Sequence, residues 1–382
     1  MSHTFRASSS RAHRLSTAAL LTAVFFAAPV AAQNRQPGFF DGVELSGLVD
    51  TYHSYNFNRP AKPCTVMGGI EIFNCLRDAD VAHNDLRLNV AELAIEKKPA
   101  AASRVGFRVD ADFGPGADIA AALDTSTATK YLQQAYVSYL AGSPDSGVQI
   151  DAGKFLTMAG TELADTKDNW NYSHGLLFDY AMPAYHAGVR AVWRLTPSVT
   201  LTGALINGWN NVVDNNSGKS VAVSVSAKIT DDLTISTTYI GGPEATDDNE
   251  GWRHLSDTTL AWRLDAATQI AVNYDAGRDR NRSQAWQGAA GYIRRQLTGW
   301  LAVAPRYEVL TDRDGFATGI SQTIHEVTLT AELVRRAGFL MRVEYRSDFT
   351  SQEFFLKNTS ETVNHQQTLT VSLVYALSAK IR

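Results

Sequence analysis

Charged side chains alternate with apolar ones over residues 104–113, and this alternation indicates where the charged groups lie and what they can do there. Successive side chains of a strand point to opposite faces, so two arginines and two aspartates share one face of this segment. Charges of both signs on one face can line a water-filled channel or pair with each other across strands. By the same alternation, the candidate pore-lining residues are Asp50, Arg104, Arg108, Asp110, Asp112, Arg190, Arg194, Arg263, Arg306, Glu308, Arg342, Glu344 and Arg346.

The segment 157–186 is unusually apolar for a connection between strands. It contains Trp170, Tyr172 and Phe178, which a loop exposed to water does not normally carry. We expect this segment to fold inward against a lumen wall and to narrow the channel. The alternative is a latch that packs on a neighbouring copy of the chain. The candidate constriction residues are Glu162, Asp165, Lys167 and Asp168.

The two cysteines, Cys64 and Cys75, lie in one loop that also contains proline and glycine. In an exported chain they are expected to pair, which stabilises the fold by about 2–3 kcal/mol for a short closed loop. A zinc site with His53 or His83 is the alternative, but two thiols without a second ligand pair nearby do not match zinc spacing. We therefore predict a disulfide and no metal site.

Two short patterns resemble fragments of catalytic motifs. Gly153-Lys154 lacks the correctly spaced preceding glycine of a phosphate-binding loop, and Phe155 stands where a serine or threonine would hold magnesium. Ser173, His174 and Asp179 could belong to a hydrolase of the lipase or protease type, but spacing alone cannot place a hydroxyl, an imidazole and a carboxylate in line. We therefore predict no enzymatic activity and no cofactor.

The elements that position the charged residues are alternating strands, which recur to the last residues of the chain. We predict sixteen of them, with fourteen as the alternative because the second and twelfth patterns are irregular; a bulge near Ala91 would restore the phase of the second. The predicted strands are 43–57, 83–97, 103–113, 130–140, 147–156, 187–196, 199–209, 220–229, 233–241, 254–264, 268–277, 284–296, 299–310, 322–334, 338–348 and 364–378.

Short and long connections alternate without exception between these strands. An even strand count with tight turns at one end and long loops at the other is typical of a transmembrane antiparallel up-and-down β-barrel. Arginine facing lipid near the bilayer midplane would cost about 2–4 kcal/mol, so the apolar faces must point outward in a membrane. A soluble barrel of sixteen strands would enclose more volume than its inward side chains can fill.

The first 32 residues have the pattern of a cleaved secretory signal peptide, with three arginines followed by an apolar run and small residues before Gln33. We expect residues 33–382 to form one outer-membrane barrel. Because the first 32 residues hold three arginines and no acidic residue, the rest of the chain carries 32 basic and 39 acidic side chains, a net charge of −7. That charge argues against nucleic acid as a partner.

Several short motifs cluster between residues 84 and 190. They are Leu86-Arg-Leu-Asn-Val-Ala-Glu-Leu-Ala-Ile-Glu-Lys97, Asp151-Ala-Gly-Lys-Phe155, Gly160-Thr-Glu162, Asn171-Tyr-Ser-His-Gly-Leu-Leu-Phe178, Pro183 and His186-Ala-Gly-Val-Arg190. This set resembles the putative β-barrel porin-2 family of Gram-negative outer membranes. The resemblance implies an outer-membrane porin and says little about the solute.

We therefore expect a porin that lets small hydrophilic solutes or ions diffuse passively across the Gram-negative outer membrane. The expected partners are outer-membrane lipid and those solutes, with a homotrimer as a candidate assembly. The arginines outnumber the acidic residues on the strands around the long third loop, which slightly favours anions. The alternatives are a barrel enzyme and a structural or adhesive surface barrel with a plugged lumen.

Overall fold

The computed structural model describes residues 40–122, 124, 129–336 and 338–381, and the chain divides into two units. The first unit, Met1–Asp41, includes only two described residues, Phe40 and Asp41, so the expected signal peptide lies outside the described residues. The second unit, Gly42–Arg382, is the barrel. No helix among the described residues is both long and apolar enough to cross a membrane.

Sixteen antiparallel strands close into one barrel, in which each strand pairs with its neighbours along the chain and the last pairs with the first. Two further hairpins, β2–β3 and β18–β19, lie outside the barrel sheet. The strands are β1 Val43–Asn56, β2 Thr65–Met67, β3 Ile70–Ile72, β4 Asp85–Lys97, β5 Val105–Phe113, β6 Leu132–Ala141, β7 Val148–Leu156, β8 Tyr185–Thr196, β9 Val199–Ile206, β10 Ser220–Lys228, β11 Leu233–Gly242, β12 Arg253–Arg263, β13 Thr268–Asp279, β14 Gln284–Gln296, β15 Leu301–Asp312, β16 Gln322–Arg336, β17 Phe339–Thr350, β18 Phe355–Lys357, β19 Glu361–Val363 and β20 His365–Lys380.

The prediction of sixteen barrel strands is confirmed, and the alternative of fourteen is wrong. Predicted and observed ends differ by three residues or fewer, because the alternation of side chains stops where the chain turns. The described part of the chain contains two short α-helices, α1 Pro115–Ala121 and α2 Leu176–Tyr180, and both lie in connections at the long-loop end.

The register of β1 against β4 shifts by one residue at Asn89, so that Asp50 pairs with Val90 and Thr51 with Leu88. The irregularity expected at Ala91 therefore lies two residues earlier. The inserted residue, Asn89, contributes a contact of its own: its side-chain amide donates to Asp50 Oδ2 at 2.8 Å.

Apolar side chains face outward on the barrel wall, and charged ones face the lumen. On β5, Val105 and Phe113 are 56% and 48% exposed, whereas Asp110 is fully buried. On β17, Tyr345 is exposed, while its neighbours Glu344 and Arg346 are buried. A one-residue shift of register would reverse both faces, so the burial of one face fixes the register of the whole sheet.

Candidate pore constriction

The third long connection, called loop 3 here (residues 157–184), folds into the barrel. It contains a 3₁₀ turn at Thr166–Asp168 and helix α2. Its apolar side chains Tyr172, Leu176 and Leu177 are buried, which explains why this segment can be apolar although it is not part of the sheet. Contacts with the lumen face hold it across the interior.

Three arginines on the lumen face of the barrel wall donate hydrogen bonds to loop 3. Arg306 on β15 donates to Glu162 Oε1 at 2.5 Å and to the Ser173 carbonyl at 2.7 Å. A second contact, to Glu326 Oε2 at 2.9 Å, ties Arg306 to the adjacent strand β16. These groups are almost fully buried, so the guanidinium is paired with two carboxylates instead of with water.

The other two wall arginines, both on β17, donate to backbone carbonyls of loop 3. Arg342 donates to the carbonyl oxygen of Thr166 at 2.8 Å and also to the carbonyl oxygen of Asn169. Arg346 donates to the carbonyl oxygen of His174 at 2.5 Å. Arginines of the wall therefore supply hydrogen bonds to carbonyl groups of loop 3 that are buried away from water.

Carboxylates on the wall accept hydrogen bonds from the loop in the same way. Glu344 accepts the backbone N–H groups of Tyr172 and Ser173 at 2.6 and 3.0 Å. Glu308 accepts the N–H of Leu176, and Asp50 accepts the Thr166 hydroxyl at 3.0 Å and the Tyr172 hydroxyl at 3.1 Å. Six of the candidate pore-lining residues thus lie beneath loop 3 and fasten it: Asp50, Arg306, Glu308, Arg342, Glu344 and Arg346.

The first long connection, called loop 1 here (residues 57–84), is also fastened to the lumen wall. Cys64 and Cys75 form a disulfide with their Cα atoms 5.9 Å apart, so the predicted pairing is confirmed and neither thiol is left for the zinc alternative. Arg77 donates to Asp348 Oδ2 at 2.7 Å, and Gln366 Oε1 accepts the backbone N–H of Cys75 at 2.9 Å.

Loops 1 and 3 meet at a buried histidine. His174 Nδ1 lies 2.8 Å from Asp78 Oδ2, and Nε2 lies 3.1 Å from the Leu163 carbonyl oxygen. Burial alone would lower the pKa of His174, but the Asp78 carboxylate outweighs it and raises that pKa to about 10. Burial and the charge of Asp78 together raise the pKa of Asp179 well above its usual range.

Ligand atoms of Asp78, His174 and Asp179 lie within 4.8 Å of one another, a grouping that can hold a metal ion. Both ring nitrogens of His174 are already directed at oxygen acceptors, which is the arrangement of an imidazolium donating two hydrogen bonds. A metal ligand needs a free nitrogen lone pair, so the geometry fits an ion pair better than a metal centre.

The ion pair between His174 and Asp78 should make the contact between loops 1 and 3 depend on pH. The pKa of His174 is raised, so its contribution is fully present below the ordinary value of 6.5 and is lost as pH rises to about 10. The pKa of Asp78 is lowered although burial opposes this, because His174 attracts its charge, so the contribution of Asp78 is lost as pH falls below its ordinary value of 3.8. An NMR titration should therefore find His174 still charged at pH 8; a midpoint near 6.5 would contradict the ion pair.

Facing loop 3 across the remaining space, β4 and β5 carry two carboxylates in direct opposition. Glu92 and Asp112 are partners in the sheet register, and they are 6% and 8% exposed. Among the described residues, Glu92 Oε2 and Asp112 Oδ1 have no hydrogen-bond partner. Gln133 Nε2 donates to Asp112 Oδ2 at 2.8 Å and to Asp165 Oδ1 of loop 3 at 3.1 Å, which brings a third carboxylate to the same place.

A lysine lies beside the carboxylates of Asp165 and Asp168 in loop 3. Lys167 Nζ contacts Asp165 Oδ2 and lies 2.8 Å from Asp168 Oδ2. Burial would raise the pKa of Asp165, but Lys167 outweighs this and lowers it, so Asp165 is ionised at neutral pH. Glu162, the fourth candidate constriction residue, faces Arg306 instead of this space.

A cavity of about 370 Å³ remains between the loops and the wall of β4–β7. Asp112, Gln133 and Asp165 line it, together with Lys130 and Lys154. Both lysines have partners: Lys130 Nζ lies 2.8 Å from Asp118 Oδ1, and Lys154 Nζ lies 4.0 Å from the centre of the Tyr185 ring.

The remaining candidate pore-lining residues lie away from loop 3. Arg108 pairs with Asp110 and Arg190 with Asp151, each at 2.8 Å. The other three lie toward the short-turn end: Arg104, Arg194 and Arg263. Arg104 precedes β5 and donates to the carbonyls of Leu140 and Gly142, so its place is the turn and not the middle of the lumen.

Three important groups were not among the candidate pore-lining or constriction residues: Asp78, Glu92 and His174. The lumen-facing position of Glu92 is not evident from the sequence, because the one-residue insertion at Asn89 interrupts the alternation that identifies lumen-facing residues. Asp78 and His174 lie in loops, where no periodicity applies. The motif containing His174 was the available signal.

The residues considered for a hydrolase are close in sequence, but the side chains of Ser173 and His174 form hydrogen bonds with other groups. Ser173 Oγ lies 3.2 Å from nitrogens of Arg306 and Arg346, while His174 is directed at Asp78 and Leu163. Among the described residues no hydrogen bond joins Ser173 Oγ to His174, so the imidazole is not placed to take the proton of the hydroxyl.

A closed sixteen-stranded barrel with an apolar exterior, a charged lumen and an inward third loop defines the class of outer-membrane porin-like barrels. Residues 42–377 match the family described as "Putative beta-barrel porin-2, OmpL-like", and the chain belongs to this family. The family resemblance inferred from the motifs is thereby confirmed.

Solved structures agree on the fold. The chain is similar to OmpT, an outer-membrane protein of Vibrio cholerae, with 13% identity and a TM-score of 0.55 over 88% of this chain and 97% of that one. It is also similar to the anion-selective porin from Comamonas acidovorans, with 11% identity and a TM-score of 0.54 over 88% and 99%. A comparison with curated proteins gave no match. Membership of this family supports an outer-membrane barrel of the porin type.

Proposed function

We propose that this protein is a general porin, through which small hydrophilic solutes or ions diffuse passively across the outer membrane. The observation that carries the proposal is the position of loop 3, which buried arginine and glutamate side chains hold across the lumen. Held in this way, the loop narrows the barrel and leaves a cavity beside β4–β7 through which solutes would pass. Residues 1–32 then serve as the cleaved export signal.

In this proposal the constriction lies where Asp165 and Lys167 of loop 3 approach the wall. Gln133 joins loop and wall, since its amide nitrogen donates to both Asp112 and Asp165. Arg108, Asp110, Arg190 and Arg194 continue the charged lining toward the short-turn end.

This arrangement favours cations, which reverses the slight preference for anions expected from the sequence. Three other candidate pore-lining arginines, Arg306, Arg342 and Arg346, are buried under loop 3. Of the arginines on the strands that flank loop 3, Arg190 pairs with Asp151 and Arg194 lies toward the short-turn end. The carboxylates of Asp112 and Asp165 line the cavity, and Glu92 lies opposite Asp112 in the sheet register. An ion in a narrow, poorly hydrated passage responds most strongly to the charges that line it directly.

Neutralising Glu92 and Asp112 should weaken the preference for cations. For Glu92→Gln combined with Asp112→Asn, we expect the reversal potential in a KCl gradient at alkaline pH, where both carboxyls are ionised, to move toward zero, because two negative charges then leave the passage. Asp231→Asn, at an exposed turn, removes the same kind of charge outside the lumen and serves as the control. An anion-selective wild type, or equal shifts in both variants, would contradict the assignment.

Planar-bilayer recording of the purified barrel tests the function itself. A porin gives steady ohmic steps, whereas the plugged surface barrel gives none. The plugged alternative is favoured by one observation, that loops 1 and 3 together bury much of the lumen face. Absence of conductance in a correctly folded barrel would overturn the porin proposal.

A further inference from the structure

The outward face of the barrel carries two exposed arginines at the long-loop end of β13–β15. Arg278 lies on β13 between Gly277 and Asp279, both buried, so its side chain points away from the lumen. Arg313 directly follows β15 and is also exposed. Among the described residues, neither arginine forms an ion pair.

The sheet register places these arginines in one row. Arg278 is paired with His254 on one side and with Ala285 on the other. Trp286 pairs with Asp312, so the next position in the register sets Arg313 beside Ala285. Two strand spacings, about 10 Å, therefore separate the backbones of the two arginines, with a small alanine between them.

The next row toward the membrane consists of small or polar residues that the register aligns across five strands. Together the two rows line a recess of about 330 Å³. Its outward-facing residues in this second row are Tyr239, Ser256, Ala276, Gln287 and Thr311.

The recess has hydrogen-bonding groups and no opposing free carboxylate among its lining residues. The Tyr239 hydroxyl lies 2.7 Å from His254 Nδ1, and His254 Nε2 is buried without a partner among the described residues. Two acidic side chains lie near the recess, and both are hydrogen-bonded: Asp314 Oδ2, at its edge, accepts the backbone N–H of Ala285 at 3.0 Å, and Asp279, on the lumen side, pairs with Arg253 at 2.9 Å.

Below these two rows the outward face becomes apolar and aromatic. Val272, Tyr274 and Tyr307 are 43%, 47% and 48% exposed. The recess therefore lies where the hydrocarbon-facing band ends and the charged end of the barrel begins, which is the depth of lipid headgroups.

We propose that this recess binds the phosphorylated headgroup of an outer-leaflet glycolipid. Arg278 and Arg313 would hold phosphate oxygens, for which the arginine fork is suited. The polar row beneath would contact the sugar, and the acyl chains would lie along the apolar band. The inference requires the outer-membrane location and does not require solute passage, so the two proposals can fail separately.

The test is native mass spectrometry of the detergent-solubilised barrel titrated with purified lipopolysaccharide. For Arg278→Ala combined with Arg313→Ala, we expect at least about tenfold weaker binding, since each basic side chain near an anionic lipid surface contributes substantially. Arg282→Ala removes one charge from the exposed turn of the same β13–β14 hairpin and should bind as the wild type does.

Two further binding measurements identify the chemical group that is recognised. Dephosphorylated lipopolysaccharide should bind the wild type as weakly as the double variant binds the intact lipid, and inorganic phosphate at equal concentration should not compete. Equal binding by the wild type and the double variant, or equal losses in the Arg282 control, would overturn the proposal. Conductance of the double variant should equal that of the wild type, because both arginines face away from the lumen; a change would show that the substitutions disturb the barrel.

Discussion

Removal of residues 161–170 is expected to raise the single-channel conductance by at least about twofold, because the lumen of a sixteen-stranded barrel is wide when no loop crosses it. The deletion takes away Glu162, Asp165 and Thr166, through which loop 3 contacts Arg306, Gln133 and Asp50. With these contacts gone, the segment across the passage is lost or moves.

The control for this deletion is removal of residues 246–250, an exposed part of the connection between β11 and β12. This deletion also shortens an outer loop but leaves the lumen untouched, so its conductance should equal that of the wild type. Conductance that is unchanged after removal of 161–170 would contradict the assignment of loop 3 as the constriction. Loss of the folded barrel, seen as loss of heat-modifiable migration, would identify a folding defect.

Arg306→Met is expected to be the most destabilising single substitution in the lumen. Arg306 is buried against Glu162 and Glu326, and removing one partner of a buried ion pair costs about 3–5 kcal/mol because the other charge stays uncompensated. Urea unfolding in lipid vesicles measures the free energy of unfolding. The same variant should show a noisier channel, since the loop loses its contacts through Glu162 and the Ser173 carbonyl.

Two comparisons make this result specific. Arg306→Lys keeps the charge but loses the fork that contacts both carboxylates and the carbonyl, so its stability should lie between that of the wild type and Arg306→Met. Arg282→Met, at an exposed turn, should change the free energy of unfolding by less than about 0.5 kcal/mol. Equal stability of Arg306→Met and wild type would show that the buried network is not needed to hold loop 3.

The sequence predicts the barrel well because every second side chain of a strand faces the same environment, so apolar and polar residues alternate along it. The outward face of β17 and the inward face of β5 follow from the alternation alone. The prediction of an inward loop 3 also rests on composition, since Trp170 and Tyr172 are costly to expose. Where an inserted residue disturbs the period, as at Asn89, the same reasoning loses Glu92.

Partners across the lumen are not encoded by any local pattern. Arg306 and Glu162 are 144 residues apart, and Tyr172 and Glu344 are 172 residues apart. Spacing in sequence cannot show which lumen arginines face water and which lie beneath a loop. In the proposed porin, the ion preference depends on that difference.

By itself, the sequence of this chain determined a transmembrane barrel of sixteen strands, its apolar exterior and an apolar loop that must be buried. Each of these follows from local periodicity and from the free energy of placing single side chains in lipid, lumen or water. The tertiary structure alone decided that Arg306, Arg342 and Arg346 fasten loop 3, that Glu92 opposes Asp112, and that Arg278 and Arg313 flank one recess. Closure of the sheet and the path of the loops bring these groups together, because electrostatic and hydrogen-bonding contacts depend on distance in space and not on distance along the chain.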